Sequence, residues 1–441
     1  MNKYSKGSLL LSIMNDLKRN DEVAAIELGV PKEQLQSWIR GESDIPDELL
    51  CKAAEIWPIN RRDFEPIPDD IPEGLLVMTA EESQSTERVL HRKNMPYYAY
   101  RDTAMSRMAP FRPEWIEELV DVDNSDVDDK RVCWNNGHFL HQFTYFIGPV
   151  NFYFMRNNKK CLVEMNTGDS MYISPYVPHT FTNRIDGSKQ RGLIMALTYS
   201  GDLGGDARAE MGALGNEVVN KMVIPSVFSY HGSRCLLKFR MLDACIDANE
   251  LSLRCGISLE KTNNFLQGNS AIHFDELHLF AQALHIDVKD LLVHDAQESE
   301  DVELLSRKDC CEWVYNDYRV KQLASSKAMP KVKAFELLID PELSGGFIST
   351  SLFQYGYILG PSSVDIFWVY NGTNFRRTLN PGDSFVMKPS VEHRFESSKI
   401  SKILLLRVPG KVSGDALLEL SSLPSEGIGR AIHENKQWYQ S

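Results

Sequence analysis

The sequence predicts an α+β fold arranged as a tandem repeat, a helix-turn-helix-like helical unit followed by a double-sheet β barrel, with the pair then recurring. Three observations predict it. A helical pattern near residues 6–57 returns near residues 236–293. Each copy is followed by short β-branched and aromatic runs broken by Gly, Pro and Asn, the signature of antiparallel strands. Matched positions also keep one spacing: Gly29 with Gly256, Val30 with Ile257, Trp38 with Phe265 and Gly41 with Gly268, all 227 residues apart. A chain of 441 residues exceeds one hydrophobic core, which agrees with several domains.

In chain order, residues 1–60 form the first helical unit, where ELGVPKEQLQSWIRGE reads as a short helix, a Gly turn and an amphipathic second helix. Residues 61–200 hold a linker and the first barrel. The stretch 60–115, rich in Pro, Glu and Arg, is read as the linker, contributing loops to the barrel's pocket. The barrel runs through HQFTYFIGPVNFYFM and NTGDSMYISPYVPHTFTN. Residues 230–295 repeat the helical unit as LRCGISLEKTNNFLQGN, and residues 300–415 repeat the barrel as FQYGYILGPSSVDIFWVY and NPGDSFVMKPSVEHRFES. Residues 416–441 are a C-terminal tail. The string Gly-Asp, a strand, Pro and then His-x-Phe resembles the second motif of cupins, small double-sheet jelly rolls.

The chemistry-bearing residues cluster in the first barrel. Cupins hold a divalent metal with two or three His and a carboxylate, and iron oxygenases use two His and one acid. In WNNGHFLHQFTYF, strand alternation points His138 and Gln142 one way and His141 the other, which leaves His141 a structural role. The following strand supplies His179. No acid stands ready: Asp169 belongs to the Gly-Asp turn, and the position six before His179 is Ile173. Gln142 is therefore a candidate third ligand, although a buried Gln hydrogen-bonded to a His has the same signature. A neutral third ligand leaves the metal its full 2+ charge, which favours a substrate bringing anionic oxygens. In the second barrel His393 matches His179 and Gln354 matches Gln142, but Thr350 replaces His138 and Met387 replaces Ile173. One His without its partner makes a poor metal site, so this copy is read as degenerate scaffold.

With NNGH and SPYVPH in the first of two such barrels, the chain resembles, over essentially its whole length, the family of hydroxyethylphosphonate dioxygenase and methylphosphonate synthase. The resemblance implies iron(II), O2 and the substrate 2-hydroxyethylphosphonate. In the dioxygenase a Glu six residues before the second His is the carboxylate ligand, and here that position is Ile173. The synthase instead uses a Gln four residues after the first His, where Gln142 stands. The synthase pattern thus gives His138, Gln142 and His179 as metal ligands, with Gln142 and Ile173 selecting the product. It implies C–C cleavage to methylphosphonate and carbon dioxide or bicarbonate; the dioxygenase alternative gives hydroxymethylphosphonate and formate. Family substrate contacts fall on Arg92 and Tyr100, eight apart in HRKNMPYYAY, on Asn135, and on Lys18, donated to a neighbouring subunit's site in a homo-oligomer. A dianion needs such charge-assisted donors.

A ligand-sensing transcription regulator shares the helix-turn-helix and cupin plan, so charge must decide. Residues 1–57 carry seven Lys/Arg against ten Asp/Glu, and residues 234–293 six against eight. Acidic units do not supply the phosphate neutralisation behind DNA binding, and the net charge of −13 argues the same way. No nucleic-acid partner is expected. The apolar run Leu9 to Met14 is too short to span a bilayer and lacks a signal-peptide pattern, so no membrane partner and a cytoplasmic location are expected. The eight cysteines form no CxxC pair and suggest no disulfide framework.

Overall fold

A computed structural model describes residues 5–187, 190–225, 231–293, 301–343 and 345–439. It is a mixed α/β protein whose chain divides into two compact units. One comprises residues 1–199, 304–325 and 331–441; the other comprises residues 200–303 and 326–330.

The first unit opens with helices Lys6–Asp16, Asp21–Leu28, Lys32–Ile39 and Asp47–Ile56. Their apolar faces meet in a core of Leu10, Met14, Leu28, Leu35, Trp38, Leu50 and Trp57. Ser5 and Asn20 cap the first two helices through their side chains, and Gly29 ends the second at φ 69°. The other compact unit contains helices Gly232–Asp243, Ala248–Cys255, Leu259–Gln267 and Phe274–Leu284, packed on Leu237, Leu251, Phe265 and Phe280. Gly256 and Gly268 end two of them at φ 73° and 87°, so matched glycines perform matched turns.

The strands form four sheets. A seven-stranded sheet has the order Val302–Leu305, Ser170–Ile173, His141–Ile147, Leu193–Tyr199, Phe111–Glu118, Met95–Asp102, Arg88–Arg92. It faces a four-stranded sheet ordered Asp121–Val122, His179–Arg184, Val150–Arg156, Lys159–Met165. Phe146 of the larger sheet meets Phe152 and Phe181 of the smaller, with ring centroids 6.3 and 6.1 Å apart, so the two share one core. The second pair joins a seven-stranded sheet (Leu75–Met78, Ser384–Met387, Phe353–Gly360, Ser401–Val408, Lys333–Ile339, Tyr318–Gln322, Glu312–Tyr315) to three strands, Thr373–Leu379, Val364–Tyr370 and Glu392–Glu396. A single cluster including Ile358, Ile366, Trp368, Phe385, Phe395 and Leu405 fills the space between them.

The stretch 60–115 is more ordered than a linker. It carries four strands, and Leu75–Met78 pairs with Ser384–Met387 of the second sandwich rather than the first. Its counterpart, Val302–Leu305, lies beside Ser170–Ile173 of the first. Each Gly-Asp-Ser turn secures this exchange. Asp169 accepts from Arg307 N and Asp383 from Ala80 N, both at 2.8 Å, while Ser170 accepts from Ala324 N at 2.9 Å and Ser384 from Ala104 N at 2.8 Å. Periodicity within one strand carries no record of which sandwich the strand will join, which is why the linker reading missed it.

Candidate metal centre

His138 sits in the irregular segment leading into strand His141–Ile147, Gln142 is the second residue of that strand, and His179 opens strand His179–Arg184. The two imidazole rings stand 5.2 Å apart at 89°. Each is oriented through Nδ1, which donates to a backbone carbonyl 2.8 Å away, Leu140 O for His138 and Val177 O for His179. That fixes the tautomer and leaves a lone pair on each Nε2. Burial, with His138 and Arg92 nearby, pushes the imidazolium pKa of His179 down to about 4, so the lone pair stays unprotonated at neutral pH.

Gln142 is buried, and its amide Nε2 donates to Thr144 Oγ1 at 2.9 Å. This turns Oε1 toward His138 Nε2, 3.1 Å away. In the tautomer set by Leu140 both atoms are acceptors, and two lone pairs at that distance repel unless a cation lies between or beside them. Two imidazole nitrogens and one amide oxygen, already aimed by their own partners, suit a divalent transition metal and leave positions open. Among the described residues no group of three or more His, Cys, Asp or Glu is placed to hold a metal ion, and the polar atom nearest His138 Nε2 on this strand is the Gln142 amide oxygen.

Ile173 is fully buried and directly opposes Gln142 across the antiparallel strand pair. The two positions are cross-strand neighbours and present their side chains to the same face of the sheet.

Around these donors the structure gathers some of the expected substrate residues. Asn135 Nδ2 lies 3.2 Å from His179 Nε2, and Asn135 Oδ1 accepts from His179 N and Gly137 N at 2.8 and 2.9 Å. Arg92 donates to Cys133 O at 2.6 Å and Thr180 Oγ1 at 3.1 Å, and stacks 4.9 Å from the ring centroids of both Tyr97 and Tyr98. Those tyrosines and Thr180 were missed from sequence. Burial pushes the Tyr97 phenol up to about 12 and Tyr98 well above its ordinary value, so both remain donors. Tyr100 lies one ring beyond, 5.8 Å from Tyr98, its phenol also raised by burial. Glu118, opposite Tyr98 in the strand register, is fully buried, and its carboxyl has no hydrogen-bond partner among the described residues. Desolvation outweighs the pull of Arg92 and favours its neutral form. Lys18 is exposed past the end of the first helix and contacts Asp16 O and the Trp438 ring, not this centre. His141, stacked between Tyr172 and Tyr199, hydrogen-bonds the Tyr172 hydroxyl at 2.6 Å.

No family model matches the chain. A methylphosphonate synthase of Nitrosopumilus maritimus (strain SCM1) is 42% identical over 438 residues, 98% of this chain and 95% of that protein. The chain belongs to the methylphosphonate synthase family. Among solved structures, Streptomyces albus HEPD with 2-hydroxyethylphosphonate and Fe(II) bound superposes with a TM-score of 0.93 at 35% identity, covering 98% of both chains. A variant of 2-hydroxyethylphosphonate dioxygenase shares the fold at 18% identity, with a TM-score of 0.78 over 97% of this chain and all of that one.

Within this methylphosphonate synthase family member the second sandwich answers the same positions differently. Gln354 opposes Met387 as Gln142 opposes Ile173, and Arg407 pairs with Gln354 where Thr198 pairs with Gln142. Gln354 Oε1 accepts from Arg407 Nε at 2.9 Å, and Gln354 Nε2 lies 2.9 Å from His393 Nε2. A guanidinium thus engages the amide oxygen that faces His138 Nε2 in the first sandwich. Gln354 Oε1 and His393 Nε2 thus each already have a hydrogen-bond partner.

Proposed function

We propose that the chain is an iron(II)- and O2-dependent oxygenase that cleaves the C–C bond of 2-hydroxyethylphosphonate, releasing methylphosphonate and carbon dioxide or bicarbonate. The observation that carries the reading is the neutral donor set: Gln142 Oε1 turned to His138, with Ile173 directly opposite where a carboxylate would otherwise stand. Iron(II), when held by His138, Gln142 and His179, supplies open positions for substrate oxygens and O2 and exchanges the electrons of the cleavage. The protein's own residues bind and orient. Arg92 and Asn135 meet the phosphonate, Tyr98 and Tyr97 hold Arg92 flat, and Tyr100 closes the wall. The buried aromatic lining excludes water, and the protein selects between two fates of one phosphonate-bearing carbon radical, hydrogen uptake or hydroxylation. Each sandwich is read as a cupin jelly roll and each helical unit as helix-turn-helix-like, the second cupin being scaffold. The protein is read as a cytoplasmic homo-oligomer in which Lys18 reaches a neighbouring copy's substrate. No helix of the described residues is long and apolar enough to cross a membrane.

The test is a phosphorus NMR assay of anaerobically iron-loaded protein mixed with 2-hydroxyethylphosphonate and exposed to air without reductant. A methylphosphonate signal supports the reading. Hydroxymethylphosphonate moves the assignment to dioxygenase, and unreacted substrate over iron-loaded protein refutes both.

Two further outcomes are expected. Arg92→Ala raises KM for the phosphonate about 10- to 100-fold, the worth of a charge-assisted hydrogen bond, with iron content unchanged. Iron titration saturates at one ion per chain, and His393→Gln leaves that stoichiometry as it was; a second equivalent bound with comparable affinity would contradict the Arg407 account.

A further inference from the structure

Lys18 leaves helix Lys6–Asp16 in an unusual way. Its φ is 58°, in the left-handed region, and its N–H bonds Asn15 O at 3.1 Å while Arg19 N bonds Met14 O at 2.8 Å. Glycine or asparagine is the common occupant of this position just past a helix end, since neither meets the Cβ penalty. A lysine here carries its side chain out in one fixed direction from a helix end that is otherwise closed.

The C-terminal tail lies along the same helix. Ser8 Oγ donates to Glu434 O at 3.2 Å, Asn15 Nδ2 to Lys436 O at 3.0 Å, and Gln437 Nε2 to Asp21 Oδ1 at 2.7 Å. Trp438 N returns a bond to Asn15 Oδ1 at 3.1 Å. Asn15 is only 1% exposed, and both ends of its amide are spent on the tail. Trp438 is in turn fixed by its indole N–H, which donates to Glu434 Oε2 at 2.9 Å. The result is an indole face set 5.1 Å from the Lys18 ammonium, which also donates to Asp16 O at 2.8 Å. An ammonium has three N–H groups. One is used on Asp16 O and the ring attracts the cation without consuming a donor, so donors remain for an anion.

We propose that Trp438 is a positioning residue for the phosphonate site: the C-terminal tail presents Lys18, pre-ordered on the Trp438 ring, to the substrate dianion bound in a neighbouring copy. This rests on the reading of Lys18 as a substrate contact. A free lysine loses much rotamer freedom when it binds an anion, and holding its stem and head beforehand lowers that loss.

The test compares Trp438→Leu, Trp438→Phe and Lys18→Ala in the full-length, iron-loaded protein, reading KM, kcat, iron content and melting temperature. Leucine keeps apolar bulk without a π face, and phenylalanine keeps a π face without the indole N–H. Expected are a KM for 2-hydroxyethylphosphonate raised about three- to tenfold in W438L, about 10- to 100-fold in K18A, and by clearly less than in W438L for W438F, which keeps a π face but loses the indole bond to Glu434. Iron content stays at one equivalent throughout. The double variant K18A/W438L should match K18A alone, because the ring acts only through the lysine. A raised KM in K18A with none in W438L overturns the role of Trp438 while sparing that of Lys18. An unchanged KM in K18A removes the reading beneath it as well. Equal KM increases in W438L and W438F, or additivity in the double variant, would show a merely structural tail and refute the proposal.

Discussion

Replacing His179 with alanine is expected to lower iron affinity by at least about 100-fold, the upper end of what losing a mere supporting contact costs, and to abolish methylphosphonate formation. The imidazole is 4% exposed, is oriented by Val177 O, and offers its lone pair beside Asn135. No nearby acid can take over: Glu118 is buried on the strand pair that holds Tyr98, and its neutral form is favoured. Removing a buried ring also leaves a cavity, a destabilisation of about 2–5 kcal/mol by analogy with other large-to-small core changes. His138→Ala separates the two effects. His138 is only half-buried, so its loss should spare the melting temperature of the iron-free protein yet remove iron and turnover as completely. Anaerobic titration against a competing chelator, beside the phosphorus NMR assay, reads both. Full iron binding by either variant would break the assignment of the centre.

Ile173→Glu is expected to divert part of the product to hydroxymethylphosphonate, and Gln142→Glu to do so as well. The strand register sets positions 142 and 173 opposite one another, so a carboxylate on either strand reaches the same donor place and lowers the net charge at the metal by one. In Ile173→Glu the new acid enters a site with no solvent exposure, where an unpaired charge is strongly disfavoured. Its stability should therefore depend on iron more than the parent's does. Iron(II) at 100 times its dissociation constant would return about 2.7 kcal/mol, visible as a raised melting temperature. An unchanged product ratio in both variants would mean that the two positions do not govern the outcome.

Much of this was legible in the sequence because repeats and short motifs are local. The 227-residue spacing revealed matched glycines at matched helix ends, and the resemblance pointed to His138, Gln142 and His179 as a set; strand alternation could not, because His138 lies ahead of the strand that begins at His141. The structure brings those three together with Asn135 and Arg92. What stayed hidden depends on contacts between distant segments. Tyr97, Tyr98 and Thr180 look like ordinary strand residues until Arg92 is seen among them, and Thr144 until its hydroxyl is seen holding the Gln142 amide. Arg407 gave no signal as a stand-in for a cation, because its partner Gln354 lies 53 residues upstream. The tail read as an appendage in fact grips Asn15.

The exchanged strands bear on how the molecule is born. As the chain leaves the ribosome, everything up to Tyr199 emerges before Val302–Leu305, so the sheet carrying Gln142 and Ile173 must wait with Ser170–Ile173 as a bare edge. Leu75–Met78 waits longer still, until Ser384–Met387 has been synthesised. Open edges on half-built sheets invite wrong partners, and pairings so distant in sequence form slowly. Each sandwich therefore completes its outer edge only with a strand that lies far away in the sequence, so the two copies are expected to reach their final form together rather than one after the other.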